Sequence, residues 1–153
     1  MDSVDKKILT ELQKDGRISN VELAKVCNLA PSSMLSRVRR IEEKGIIKSY
    51  RAILSPKAIG LSIQALVLIN LDQHQTDSLE IFEAKVKEIP EVMVGYHVTG
   101  RFDYVLHIVL RDIDHLAELV KETLTKIPGM ANEETLLIFS SVKEDHGYSL
   151  DLV

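Results

Sequence analysis

A single cysteine, Cys27, stands in this chain of 153 residues, so an internal disulfide is excluded. No group of cysteines and histidines has the spacing of metal ligands, and no metal site is expected. Cys27 itself reads as a small buried residue. The longest apolar run, Ala65 to Ile69, is far short of the ~20 residues a membrane span needs. The amino terminus has no signal-peptide pattern, and the expected location is the cytoplasm, with no membrane partner. Also missing are a phosphate-cradling glycine loop and a signature of nucleophile, base and orienting group. Tryptophan is absent altogether, so unfolding must be followed with an external dye.

What is present is ordinary for a soluble globular protein: 45% hydrophobic and 27% charged residues, with room for one domain or two small ones. The charge is unevenly divided. Residues 1–56 carry 11 Lys/Arg against 7 Asp/Glu, whereas residues 57–153 carry 8 against 16. A basic half suits a polyanion, and the acidic half then has a different task. Pro56 and Gly60 punctuate the boundary.

In the first half, Val4, Ile8, Leu9 and Leu12 recur at helical spacing, and Gly16 stands where a helix commonly ends. Ser19 with Glu22 three residues later is a capping box, followed by Val21, Leu23, Ala24 and Val26 in a short second helix. Asn28 tolerates the left-handed backbone that a tight turn needs, and Pro31 suits the first position of a third helix. Ala30 cannot cap, so Ser32 or Ser33 is an alternative start one residue later. Three helices with a short turn before the last suggest a helix-turn-helix.

The third helix reads with Leu35, Val38 and Ile41 or Ile46 buried. That leaves Ser33, Ser36, Arg37, Arg40 and Lys44 on the opposite face, with Ser32 beside them in the first turn. Hydroxyls in the first turn suit base edges, and the cations beyond suit bases or phosphates of double-stranded DNA. Lys48, Tyr50 and Arg51 follow as a strand or wing along the DNA backbone. The competing reading is a solvated face in which Glu42 and Glu43 neutralise the cations locally.

The second half alternates strand and helix. Residues 61–71 are β-branched and aliphatic; Leu79, Phe82, Val86 and Ile89 then share one helical face. Two strand-like runs meet at Gly100-Arg101-Phe102, a helix follows with Leu116, Leu119, Val120, Leu124 and Ile127 inward, and residues 133–142 form a final strand. The order βαββαβ, with Ile89-Pro90 echoed by Ile127-Pro128, predicts an α+β chain whose second half is ferredoxin-like. Val67, Ile69, Leu71, Val105, His107 and Val109 are expected on the face opposite the helices, covered by a second subunit. His97 and His107 lie on neighbouring strands, and the only enzyme reading would make them an acid-base pair; they read instead as structural. His74, His115 and His146 read as surface residues.

The passages "LQKDGRISNVELAKVCNLAPSSMLSRVRRIEEKGIIKSYRAILSP", "VTGRFDYVLHI" and "LTKIPGMANEETLLIFSSVK" together resemble the Lrp/AsnC family of bacterial and archaeal transcription regulators, also called feast/famine regulatory proteins. The resemblance covers nearly the whole chain. It implies a winged helix-turn-helix over 1–50, a linker strand or hinge over 51–60, and a ligand-sensing and assembly (RAM) domain over 61–153. It also implies a non-enzymatic regulator without a cofactor, forming dimers and then an octamer as a tetramer of dimers, with an amino-acid effector bound between dimers. The effector residues it implies are Val98, Thr99, Gly100, Arg101, Phe102, Asp103 and Tyr104, with Leu136, Leu137 and Ile138 of the last strand. The chemistry of the turn is open to two readings. Free amides near Gly100 and the Asp103 carboxylate suit the carboxylate and ammonium of an amino acid; equally, Asp103 can cap amides of its own turn. An architectural DNA-binding protein without a ligand is the other function that this pattern allows.

Overall fold

The computed structural model describes residues 1–72 and 78–153, with Ser78 as backbone only. The chain divides into two compact units: Met1–Ile53 together with Val142–Val153, and Leu54–Ser141.

The first unit holds α1 (Ser3–Lys14), α2 (Asn20–Cys27) and α3 (Pro31–Glu43). Each start has a local cause. Asp2 and Asp5 form a capping box on α1, Ser19 and Glu22 form the expected one on α2, and α3 begins with Pro31 behind Ala30, which makes no side-chain cap. Asn28 takes the left-handed conformation at φ 55°, and its neighbour's amide, Leu29 N, donates back to the Ala24 carbonyl at 2.9 Å. Ile8, Leu9, Leu23, Ala24, Cys27, Met34, Val38 and Ile41 make the core. Burial raises the Cys27 thiol above its ordinary range, as suits an inert core cysteine. Leu35, expected inside, is 38% exposed, and Met34 takes its place.

A charged cluster joins α3 to the start of α1. Arg37 Nη1 donates to Asp2 Oδ2 at 2.7 Å and to Asp5 Oδ1 at 2.8 Å, and Arg40 Nη2 donates to both oxygens of Asp5 at 3.0 and 3.1 Å. Asp5 is the one buried charged residue among those described, and each of its two carboxylate oxygens accepts two hydrogen bonds. Burial pushes its carboxyl up, but the Asp2 amide and Arg37 outweigh that and hold it below 3.8. Arg37, and then the Asp5 amide, likewise depress Asp2.

The expected wing does not form as a strand: residues 48–54 are irregular. Tyr50 ties this stretch to α3 by donating to Glu42 at 3.0 Å, and burial with that carboxylate pushes its phenol up to about 12. The linker strand expected over 51–60 is replaced by irregular chain and a single 3₁₀ turn at Lys57–Ile59, since a lone strand has no ladder to join. Residues 142–153, expected in the second domain, return to the first unit. Leu150 packs against its core, Gln13 exchanges two hydrogen bonds with the Tyr148 backbone at 2.6 and 3.0 Å, and Lys6 donates to the Val153 carbonyl.

The second unit is β1 (Ile63–Leu71), α4 (Ser78–Glu88), β2 (Val92–His97), β3 (Tyr104–Leu110), α5 (Ile113–Glu118) and β4 (Met130–Leu137). α5 runs on as a π turn to Thr123 and a 3₁₀ turn to Lys126. The antiparallel sheet has the order β2-β3-β1-β4, as expected for a ferredoxin-like unit. Ala65, Val67, Ile69 and Leu71 of β1 and Tyr104, Leu106, Ile108 and Leu110 of β3 face the helices, where fully buried Phe82 packs on Tyr104 at 4.7 Å between ring centroids. The register corrects one expectation. Val67 pairs with Leu106, and so Val67, Ile69 and Leu71 lie on the helix-covered face, not the open one. The open face carries Gln64, Leu66 and Leu68 beside Val109, His107 and Val105, flanked by Val94 and Tyr96 of β2 and Leu136 of β4. Both faces of β1 are apolar, so alternation alone does not say which is which.

Asp5→Ala is expected to destabilise the first unit by about 2 kcal/mol, since it opens the α1 capping box, takes from Arg40 its carboxylate partner and leaves Arg37 with Asp2 alone. Because Asp2 and Asp5 titrate below their ordinary value of 3.8, their contribution is complete above that pH and is lost as pH falls through the folded-state values. Acid unfolding of wild type and Asp5→Ala should therefore draw together as pH falls below 3.8 and converge only below the folded-state value of Asp5; a separation that does not narrow as pH falls would contradict the assignment.

Candidate DNA interface and effector site

The solvent face of α3 is a stripe at helical spacing: Ser32, Ser36, Arg39 and Glu43, with Leu35 and Arg40 alongside, lining one shallow groove. Of the expected DNA residues, Ser32, Ser33, Ser36, Lys44, Lys48 and Arg51 are exposed. Arg37 is not free. Its side chain is 28% exposed and bound to Asp2 and Asp5, and Arg40, at 48%, leans on Asp5 from the rim of the groove. Neither Glu42 nor Glu43 neutralises them, contrary to the solvated-face reading; the acids come from α1, some 35 residues away. Arg39 is the residue the sequence reading passed over. Placing Leu35 rather than Met34 inside, with Val38 and Ile41 kept, draws the centre of the buried stripe about 30° toward Arg39, which takes Arg39 off the expected solvent face. The signal that would have placed it is the run Met34, Val38, Ile41, which is equally periodic and leaves Arg39 outward.

The hairpin between β2 and β3 carries the other expected site. The Val98 amide donates to the Asp103 carbonyl at 2.8 Å, the Asp103 amide to the Ile69 carbonyl at 2.9 Å, and the Leu71 amide to Asp103 Oδ2 at 2.8 Å. Asp103 thus fastens the turn to the end of β1, accepting from an amide of another strand and not from the amides of its own turn that the capping reading named. Gly100, at φ +124°, has open space where a side chain would stand, and this conformation favours glycine. Thr99 is exposed, and Arg101 is 81% exposed, its guanidinium 5.0 Å above the Phe102 ring and 3.9 Å from Glu134. Tyr104 faces the core instead. It donates to Glu83 at 2.8 Å, and burial with that carboxylate pushes its phenol up to about 12.

Leu136 and Leu137 are half exposed on β4, and the Ile138 amide donates to the Gln64 carbonyl. These residues pair with β1 at Ala65 and Leu66, whereas the hairpin is tied to Ile69 and Leu71. Five residues of strand separate the ends, about 16 Å. Within one chain the two expected effector groups do not meet.

His97 and His107 do not pair with each other. His97 stacks on Tyr104 at 4.7 Å on the helix side of the sheet, while His107 points to the open face and pairs with Gln64 at 3.1 Å. His115, expected on the surface, is partly buried against Glu91 at 3.0 Å; His146 is exposed, and His74 lies outside the described residues. A cleft of about 710 Å³ beside His115 is lined by the pairs Lys85–Glu88, Lys126–Glu122 and His115–Glu91, with Arg111 and Glu118 beside them. Among the described residues no group of His, Cys, Asp or Glu is placed to hold a metal, and no helix is long and apolar enough to cross a membrane.

Comparison with known proteins is concordant across both units. Residues 1–48 match the family described as winged helix-turn-helix DNA-binding, and residues 64–148 match the Lrp/AsnC ligand binding domain. The chain is 40% identical to the leucine-responsive regulatory protein of Salmonella typhimurium over 95% of its own length and 89% of that protein. It is 39% identical to that of Escherichia coli K12 over the same shares. A transcriptional regulator of Neisseria meningitidis, solved as a complex with L-methionine, superposes with a TM-score of 0.95 at 32% identity, over 100% of this chain and 99% of that one. An AsnC family regulator of Agrobacterium tumefaciens superposes at 0.93 with 30% identity, over 99% of each chain. With a helix-turn-helix unit that presents a free polar helix face and a ferredoxin-like unit of matching topology, the chain belongs to the Lrp/AsnC family of DNA-binding transcriptional regulators.

Proposed function

We propose that the protein switches its grip on DNA in response to an amino acid held between copies of its second unit. The observation that carries this is the separation of the two effector groups. The Val98–Asp103 turn and Leu136–Ile138 sit at opposite ends of β1, so a site using both takes one group from each of two chains. The open sheet face, with Leu66, Leu68, Val94, Val105 and Leu136 to bury, supports a dimer, and further association of dimers into an octamer brings turns against neighbouring strands. An amino-acid effector also fits the L-methionine complex of the Neisseria relative.

In this site the exposed Arg101 guanidinium and the free amides around Gly100 take the carboxylate, and apolar side chains of β4 take the side chain of the ligand. Asp103 acts by holding the turn in shape. On DNA, Ser32, Ser33 and Ser36 lie toward the bases, while Arg40, Lys44, Lys48 and Arg51 lie toward phosphates; Arg37 positions α3. A DNA-bound regulator works in the cytoplasm.

Two outcomes are expected. Thermal unfolding with an external dye, run against the amino acids, should show an upward shift with methionine, leucine or a similar apolar one. At a hundredfold over its dissociation constant the ligand stabilises by about 2.7 kcal/mol. Arg101→Ala should lose this shift with little change in the ligand-free midpoint; a full shift in that variant would remove Arg101 from the site. Separately, Lys44→Ala should lower DNA affinity and flatten its dependence on salt by about one unit of log–log slope per bound α3. An unchanged slope would place Lys44 away from phosphate.

A further inference from the structure

We propose that Arg39 and Leu35 are the residues that read sequence, Arg39 by taking a guanine and Leu35 by packing on the methyl group of a nearby thymine in the major groove. The inference rests on α3 being the DNA-reading helix and assigns the work within it.

The three arginines of α3 are not equivalent. A guanidinium recognises guanine by offering two parallel donors to O6 and N7, and it needs its fork free. Arg37 has its Nη1 committed to two carboxylates and Arg40 has its Nη2 committed to one. Arg39 has no ion-pair or hydrogen-bond partner among the described residues and lies in the groove with Ser36 and Ser32, one and two turns before it. Glu43, one turn beyond in the same groove, repels phosphate. That leaves base edges as the acceptors Arg39 meets.

Leu35 is the apolar residue of α3 that the core does not take: Met34, Val38 and Ile41 are buried, while Leu35 is 38% exposed in the floor of the groove. It has nothing to offer a phosphate. The apolar feature of the major groove is the C5 methyl of thymine, which marks one edge of A·T pairs. Leu35 stands one helical turn from both Ser32 and Arg39, about 5.4 Å, so the thymine should fall within one or two base pairs of the guanine. Sequence reading then runs from the first turn of α3 through Leu35 in the second to Arg39 at the start of the third, along the face that lines the groove.

The test is selection of binding sites from a random duplex library by the full chain, as wild type, Arg39→Ala, Arg39→Lys, Leu35→Ala and Arg37→Ala. Wild type should enrich half-sites with a guanine and a thymine one or two base pairs apart. Arg39→Ala should bind its former best site at least 10-fold more weakly and lose the guanine preference. Arg39→Lys should lose much of that preference while keeping the salt dependence, because it retains the charge without the fork. Leu35→Ala should lose the thymine preference alone, by roughly 5-fold. Arg37→Ala should keep both preferences and show a lowered thermal midpoint. Binding with unaltered base preferences in the Arg39 and Leu35 variants would overturn the inference, as would loss of them in Arg37→Ala at an unchanged midpoint. Wild type that enriches no sequence would overturn instead the reading of α3 as a sequence-specific helix.

Discussion

The sheet has two faces and its two helices cover one. β1 lies at the centre of that constraint, bonded to β3 on one side and β4 on the other, and its side chains serve both faces. Val67 and Ile69, wholly buried, hold the helices, while Leu66 and Leu68 stand on the other side between strands with apolar residues of their own. A surface of that kind, exposed on a lone chain, favours association by the same area-proportional term that builds the core. The strand that makes the fold therefore also presents the apolar face that the proposed dimer would cover. Its length sets the distance between the hairpin and the end of β4, and the proposed site shared between chains rests on that distance.

Local chemistry was legible in the sequence, and partnerships across distance were not. Ser19 with Glu22, Asn28 and Pro31 announce the ends of helices because each acts on backbone within a few residues, and each did so here. The order of strands and helices followed from periods of two and 3.6. By contrast, nothing near Arg37 in the chain points to Asp2 and Asp5, and nothing near Gln13 points to Tyr148. β1 failed for another reason. With both faces apolar its parity carries no information, and only the pairing of Val67 with Leu106 decides it. At α3 a choice between two adjacent apolar residues, Met34 and Leu35, sufficed to rotate the proposed DNA face, so a correct helix came with a partly misplaced site. Asp103 shows the remaining limit: a carboxylate beside a glycine turn suits a ligand or a neighbouring amide equally well, and the position of the Leu71 amide settles its contact.

The uneven charge now has a physical account on both sides. The surplus of cations in residues 1–56 overstates what DNA can meet, because the buried Asp5 and its neighbour Asp2 draw Arg37, and in part Arg40, into the fabric of the unit. A buried carboxylate of this kind is stable only while its donors stay in place, so those arginines fix α3 against α1 before any ligand arrives. Preorganisation matters for a reading helix, since ordering that is complete in the free protein is not charged against binding. The acidic second half, with 16 carboxylates against 8 cations over residues 57–153, repels the polyanion and keeps it from spreading over the sheet and its helices. Attraction then falls to the exposed cations of the first unit, Lys44, Lys48 and Arg51 beside α3 among them. The few side chains of the groove are left to set the sequence that is bound.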